Sequence, residues 1–322
     1  MNIEEQIKKI EKQYGPNSIM KLGENNIISI PRIKTGIMSV DTLIGGGLPK
    51  GRIVELYGDP SCGKTSLALQ TIASAQQEGI ACVYIDAEHA LDLSYISKLG
   101  VDVDELYLSQ PDYGEQALNI AYQMADVEEV GLIVIDSVSA LVPKAVYDGE
   151  IGDQNVGNLP RLMSGSLNKF SSKLSKTETT LIFINQLRQK IGVMYGNPNI
   201  TSGGNALRFY ASLRLQLVPL KSQKIANSEG TVGNRVKIKV EKSKVCNPFQ
   251  ETECSLVYGI GFDKERDLIE YAVKIGVVEK SGAWINFGEE KYQGLDNFIE
   301  TVRENKDMFN NIKEMVDDIQ SR

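Results

Sequence analysis

The chain has 322 residues but only one histidine, His89. That count excludes mechanisms needing two, such as H-E-x-x-H metalloproteases. The four cysteines, Cys62, Cys82, Cys246 and Cys254, form no C-x-x-C pair, which argues against a zinc cluster or a thioredoxin-type redox motif. A disulfide framework is not expected in a chain of this length without a secretory signal. No run approaches roughly eighteen consecutive apolar residues, so no membrane-spanning helix is expected. The N-terminal MNIEEQIKKIEKQYG is polar and contains acids, unlike a signal or transit peptide. The expectation is therefore a cytoplasmic protein with no membrane partner. Internal repeats and low-complexity tracts are also lacking.

Acids are nearly missing from one long stretch. Residues 154–228 hold ten Lys/Arg (Arg161, Lys169, Lys173, Lys176, Arg188, Lys190, Arg208, Arg214, Lys221, Lys224) and a single acid, Glu178. The stretch is +9 within a chain of net charge −7, which leaves −16 for the remainder. Such asymmetry is an electrostatic footprint for a polyanion. From charge alone, a basic face pairing with acidic faces of neighbouring subunits reads equally well.

The rest of the composition is that of a globular protein, with 42% hydrophobic and 24% charged residues. Ile3, Ile7, Ile10 and Tyr14 recur at helical spacing, which predicts a short amphipathic helix ending near Gly15-Pro16. That helix would pack on its own domain or on another protomer. After a polar connector, residues 27–30 have strand character. From residue 53 apolar strands (53–57, 80–86, 131–136, 180–185) alternate with helical patterns (64–78, 115–127, 159–175). Alternating strands follow at 213–218 and 235–242. This order predicts an α/β fold, a mainly parallel sheet covered by helices on both faces. Residues 260–322 read as a separate small α/β domain of short helices and one small strand, 283–287. The expected organisation is an arm over 1–30, a core over 31–259 and a C-terminal domain over 260–322. Two long Gly-containing loops, 148–157 and 188–205, stand out, because long unstructured loops in compact domains are usually functional.

Residues 58–65 read GDPSCGKT, a match to G-x-x-x-x-G-K-[ST] after an apolar strand and before a helix. Gly58 and Gly63 let the backbone curl so that its N–H groups face inward toward phosphate at a helix N-terminus, and Asp59, Pro60, Ser61, Cys62 and Ser66 belong to the same expected nucleotide site. Lys64 would reach the β and γ phosphates, and the Thr65 hydroxyl would ligate Mg²⁺. Asp136 ends the apolar strand GLIVID and suits a Walker B carboxylate holding Mg²⁺, usually through water; alone, it reads equally as a strand-end cap. Glu88 lies just beyond the strand ending in Asp86, where a carboxylate can orient an attacking water. Gln186 follows the strand TLIFIN, where an amide can touch the γ-phosphate or merely satisfy a turn.

These motifs continue into longer segments: YIDAEHALD (84–92), SQPDYGEQAL (109–118), VIDSVSALVPKAV (134–146), EIGD (150–153), IFINQLRQKIGVMYGNP (182–198) and SGGNALRFYAS (202–212). With GDPSCGKTS they make the chain resemble the bacterial RecA recombinase family over nearly its whole length. The resemblance implies a P-loop NTPase core of RecA type that binds ATP and Mg²⁺. It implies a helical homo-oligomeric filament on single-stranded DNA that captures homologous double-stranded DNA and exchanges strands, with hydrolysis of ATP. By position it implies catalytic roles for Glu88, Lys64 and Gln186, adenine contacts for Asp92 and Tyr95, and contacts to a neighbouring protomer's ATP for Lys242 and Lys244. It further implies DNA contacts from Arg161, Ser164, Arg188, Gly203 and Asn205, with Tyr195 near the tip of the second DNA loop. Mediator proteins and self-cleaving repressors are implied for many members.

The chain departs from the family pattern in places. Pro60 and Cys62 stand where Glu and Ser are commoner; Pro60 stiffens the loop, and Cys62 is expected to expose a thiol near the nucleotide. YQGLDNF (292–298) replaces a segment richer in Gly and Lys, so Lys280, Trp284 and Lys291 are weak candidates for duplex contact, and Trp284 reads equally as domain core. The chain ends at EMVDDIQSR without a long acidic tail, which implies less autoinhibition. Two other readings compete. One is an ATP- and DNA-binding filament scaffold that signals to partner proteins, with hydrolysis incidental. The other is a hexameric helicase of related core, which the two loop sequences disfavour.

Overall fold

A computed structural model describes residues 2–16, 18, 19, 21, 30–150, 157–189, 199–227 and 230–320. Residues 27–29 of the expected strand at 27–30 lie outside the described residues, as do 151–156 of the expected first DNA loop (148–157) and 190–198, with Tyr195, of the second (187–202). The first unit, residues 1–31, contains α1 (Ile3–Tyr14). Asn2 starts it through a capping box: its side chain accepts from the Glu5 N–H at 2.9 Å, and Glu5 accepts in return from the Asn2 N–H. Ile3 and Tyr14 on this helix are exposed.

The second unit opens with β1 (Arg32–Ile33), α2 (Met38–Leu43) and β2 (Leu48–Pro49). The α/β core follows as β3 (Ile53–Gly58), α3 (Lys64–Gln77), β4 (Ala81–Asp86), α4 (Leu93–Lys98), β5 (Leu106–Ser109), α5 (Gly114–Met124) and β6 (Val130–Asp136). It continues through α6 (Lys144–Tyr147), α7 (Asn158–Thr177), β7 (Thr180–Gln189), β8 (Asn199–Thr201) and α8 (Ala206–Tyr210). A long hairpin, β9 (Leu213–Asn227) and β10 (Gly230–Ser243), leads to β11 (Glu251–Val257) and β12 (Gly261–Phe262). The last elements are α9 (Lys264–Lys274), β13 (Glu279–Ser281), β14 (Trp284–Phe287), β15 (Glu290–Gln293), α10 (Leu295–Glu304) and α11 (Lys306–Gln320).

The main sheet runs β12-β11-β10-β9-β3-β7-β6-β4-β5, with β8 added to the end of β7. Strands β9 through β5 in that order are mutually parallel, and β10, β11, β12 and β8 are antiparallel additions. The near-continuous apolar character of the parallel strands follows from burial of both faces. Their side chains alternate between two cores. Val54, Leu56, Cys82, Tyr84, Leu132, Val134, Ile182 and Ile184 join α3 on one face. Ile53, Val83, Ile85, Ile133, Ile135, Leu181 and Phe183 join α5 and α7 on the other. The period of two in the strands therefore builds two separate packed layers from one run of apolar residues.

Residues 268–316 hold a third core, centred on Ile269, Ile285, Phe298, Ile299 and Val302. The single strand expected there is a three-stranded antiparallel sheet, β13-β14-β15. Its strands are only three or four residues long and mostly exposed, so they carry little apolar periodicity. The glycines at the two turns, Gly282 and Gly288, have φ of 61° and 62°, which glycine adopts without steric cost. Trp284 is not core: it is 47% exposed, and its neighbour Ile285 fills the interior instead. The alternation of the strand sends the larger ring outward.

Candidate active site

Strand β3 lies between β7 and β9 at the centre of the nine-strand path, so the loop after it opens on the parallel strands' C-terminal edge. Open α/β sheets bind ligands at this edge. Gly58 ends β3 beside Gln186 of β7 and Leu217 of β9. A Cβ on Gly58 would stand 2.2 Å from the Leu217 carbonyl oxygen and 2.8 Å from the Cys62 Sγ, so only glycine fits. Gly63 adopts φ 89° as N-cap of α3, which turns the chain into the helix. The Lys64 ammonium is buried and donates to the carbonyls of Asp59 at 2.7 Å and Gly58 at 3.3 Å, with the Cys62 Sγ at 3.7 Å.

The thiol of Cys62 is fully buried, contrary to the expectation that it is exposed. The curl of the loop folds residue 62 back over the end of β3, where the missing side chain of Gly58 leaves room for sulfur. Burial pushes its pKa up, against the opposing pull of Lys64.

Asp136, at the end of β6, is buried and faces this loop. Its Oδ2 accepts from the Thr65 hydroxyl at 2.7 Å and from the Tyr84 hydroxyl at 2.8 Å. Burial raises the Asp136 pKa, and these two donors oppose the rise. The Thr65 hydroxyl and the Asp136 carboxylate thus form a small, hard, all-oxygen donor pair. Among the described residues no cluster of three His, Cys, Asp or Glu could hold a metal by itself. The Thr65–Asp136 pair would suit Mg²⁺, which takes one or two protein oxygens and completes its shell with phosphates and water.

Glu88 is exposed on the loop after β4. Its Oε1 accepts from the Ser137 hydroxyl at 2.5 Å and from Gln186 Nε2 at 3.1 Å. The loop itself is shaped by Asp86, which accepts from the N–H groups of Ala90 and Leu91 and from Gln110 Nε2 at 3.0 Å. Glu88 and Gln186, 98 residues apart in sequence, therefore meet directly above the strand ends.

A cleft of about 450 Å³ extends from the phosphate loop. Residues 61–66 and Leu69 form one wall, and Leu91, Asp92 and Tyr95 another. Tyr95 is fixed by a 2.6 Å hydroxyl contact with Ser66. Asp92 caps α4 by accepting from the Ser94 N–H at 2.8 Å, and that bond holds its pKa down. Leu256, Val257, Tyr258 and Gly259 close the cleft. The sequence reading did not single out this last wall, since β11 reaches the phosphate loop only through the fold.

The DNA candidates converge on neighbouring elements. Arg161 and Ser164 are exposed one turn apart on α7. Arg188, exposed near the end of β7, donates through Nε to the Ser202 hydroxyl at 3.1 Å. Gly203 is buried with φ 80°, where a Cβ would press on Val138 and Met163, and Asn205 is exposed at the start of α8. Not all of the basic stretch is available to a partner. Arg214 is buried in an ion pair with Glu55, and Lys173 pairs with Asp126 over the Tyr122 ring. Lys242 lies away from the phosphate loop, donating to the carbonyls of Arg208 at 2.6 Å and Phe209 at 2.9 Å. Lys244, two residues on, is exposed. No helix among the described residues is long and apolar enough to cross a membrane.

The RecA N-terminal domain family matches residues 1–263, and the RecA C-terminal domain family matches residues 266–319. The chain is 50% identical over 310 residues to Protein RecA of Wolinella succinogenes, covering 95% of this chain and 88% of that one. It is 47% identical over 312 residues to Protein RecA of Bacillus subtilis, covering 96% and 89%. In structure it is similar to the RadB recombinase, with a TM-score of 0.55 at 21% identity over 71% of this chain and 98% of that one; at that identity the likeness is one of fold. On matches spanning nearly its full length, and on a phosphate loop set against Asp136, Glu88 and Gln186, the chain belongs to the RecA family.

Proposed function

We propose that this chain is a DNA-dependent ATPase of recombination and repair, which forms filaments on single-stranded DNA, pairs it with homologous duplex and exchanges strands. The observation that carries the reading is the meeting of Glu88 with Gln186 beside the phosphate loop. It joins a hydrolytic base to the strand that leads into the second DNA-binding segment.

The chemistry follows from the side chains. The loop N–H groups and the α3 N-terminus hold the phosphates, and Lys64 leaves its carbonyl partners for the β and γ oxygens. Thr65 and Asp136 would hold Mg²⁺, which supplies charge neutralisation on those oxygens. Glu88 orients a water and accepts its proton as oxygen attacks the γ phosphorus. The bond from that phosphorus to the bridging oxygen breaks, and ADP carries the electron pair away. Gln186, held to Glu88, reports the γ-phosphate to β7. Asp92 and Tyr95 receive the adenine end of the cleft. Arg161, Ser164, Arg188, Gly203 and Asn205 serve the DNA backbone, whose recognition by charge is tolerant of sequence, and Tyr195 belongs to the second DNA loop. Lys242 and Lys244 complete the site of a neighbouring protomer. The division into a 1–30 arm, a 31–259 core and a 260–322 domain, a cytoplasmic location, and the use of mediator proteins or repressors belong to the same proposal.

The test is ATP turnover with and without single-stranded DNA, for wild type and Glu88→Gln. DNA should stimulate wild-type turnover strongly, and the substitution should lower it by about 10²–10⁴-fold while DNA binding persists. DNA binding without stimulated turnover would instead favour the filament-scaffold reading.

A further inference from the structure

Glu55 is a charged residue in the centre of the sheet, fully buried on β3. It faces the α7 side, where its strand neighbours are apolar core. Its two oxygens are used by different partners. Oε2 accepts from Nε of Arg214 on β9, and Oε1 accepts from Nδ2 of Asn185 on β7 at 2.9 Å. Asn185 is also fully buried. Its Nδ2 donates a second bond to the Ser202 carbonyl at 3.0 Å, and its Oδ1 accepts from the N–H groups of Gln186 at 2.9 Å and Ser202 at 3.2 Å. Two donors and two acceptors are all that a side-chain amide has. Every one is engaged, so the amide has a single allowed orientation.

That orientation is dictated by Glu55. A carboxylate can only accept, so it demands the NH₂ side of Asn185. The Oδ1 side is thereby turned to Gln186 and Ser202. These two residues bracket the segment that leaves β7 and returns through β8, and the Ser202 hydroxyl in turn accepts from Arg188. We infer that Asn185, oriented by the Glu55–Arg214 pair, is a positioning residue that couples the nucleotide site at Gln186 to the DNA-binding segment at Ser202 and Arg188. The inference rests on the functional reading above, in which Gln186 senses nucleotide and Arg188 meets DNA.

The logic predicts an unusual rescue. In Glu55→Gln the new amide has one oxygen, and the buried Arg214 charge claims it. Its NH₂ group then faces the NH₂ of Asn185, which must turn over and abandon the Gln186 and Ser202 N–H groups. Adding Arg214→Met removes the competing donor, so the new amide can present its oxygen to Asn185 and restore the original orientation. Replacing a buried ion pair with neutral groups of similar volume is commonly tolerated.

The measurement is the affinity for a fluorescein-labelled oligo(dT), with a slowly hydrolysed ATP analogue and with ADP, for wild type, Asn185→Ala, Glu55→Gln and Glu55→Gln/Arg214→Met. The ratio of the two affinities reads the coupling. Asn185→Ala and Glu55→Gln should compress the ratio at least tenfold, with ATP affinity changed less than threefold. The double variant should return the ratio to within threefold of wild type, a recovery that a merely structural role would not give. A wild-type ratio kept by Asn185→Ala, or a folded double variant that stays uncoupled, overturns the inference alone. A wild-type ratio near one overturns the functional reading and this inference with it. If Glu55→Gln does not fold, Asn185→Ala and the double variant decide the matter by the same criteria.

Discussion

Removing one oxygen, by Tyr84→Phe, tests how Asp136 is held in the site. The Tyr84 side chain is 1% exposed, and its hydroxyl donates to Asp136 Oδ2 at 2.8 Å. The ring and its apolar contacts survive the substitution, so no sizeable cavity opens. What is lost is one of the two hydroxyl donors on a buried carboxylate oxygen, leaving Thr65 as the other. Hydrogen bonds to charged groups contribute about 1.5–3 kcal/mol. With an m-value of about 3 kcal/mol per M urea, the unfolding midpoint should fall by about 0.5–1 M. Burial pushes the Asp136 pKa up, and the same donor opposes that rise. Its removal pushes the pKa further up, so the acid limb of the Mg²⁺-dependent ATPase profile should move to higher pH. The assays are urea unfolding followed by circular dichroism and initial rates from pH 5 to 8. An unchanged midpoint together with an unchanged acid limb would refute the assignment of Tyr84 as a support of Asp136.

Three further outcomes follow from separate features. Gly58→Ala forces a Cβ to within 2.2 Å of the Leu217 carbonyl oxygen, and titration with a fluorescent ATP analogue should show binding lost; affinity within threefold of wild type would contradict the close approach. Asp41 is buried with a pKa raised to about 6 from 3.8, so the folded state binds its proton more tightly than the unfolded state. Its ionisation therefore costs stability above pH 6, by about 3 kcal/mol at full value, and costs nothing below about pH 4. Asp41→Asn keeps an acceptor for the Thr35 N–H and hydroxyl and should stabilise the protein at pH 8 by up to that amount, less what the Gly36 N–H loses, with no gain at pH 4 in parallel urea titrations. Arg161→Ala and Arg188→Ala should each lower the slope of log affinity for single-stranded DNA against log salt by about 0.7; unchanged slopes would remove those residues from the DNA surface.

The phosphate loop was legible because everything that defines it is local: two glycines, a lysine and a threonine within eight residues, framed by a strand and a helix. The alternation of strands and helices was legible for the same reason. Glu88 and Gln186 were each readable as polar groups at strand ends, yet their contact depends on strand order, which places β4 and β7 on either side of β6. The wall formed by Leu256–Gly259 belongs to an antiparallel extension of the sheet and has no local mark. Charge counting assigned Arg214 to a polyanion-binding face, whereas Glu55, 159 residues earlier, claims it in the interior. Cys62 was misread because a loop rich in small polar residues looks exposed, and only the packing of the loop against β3 reveals that its sulfur fills a space. The short strands β13 and β15 and the outward Trp284 show the weakness of periodicity when an element presents too few buried positions.

The burial of Cys62 gives the protein a built-in clock. A thiol reagent reaches that sulfur only when the loop unwinds from the end of β3, so the rate of labelling at residue 62 measures how often the phosphate cradle opens. Whatever fills the cradle and draws Lys64 away from the Asp59 carbonyl also changes that frequency, and the sequence carries the reporter already in place.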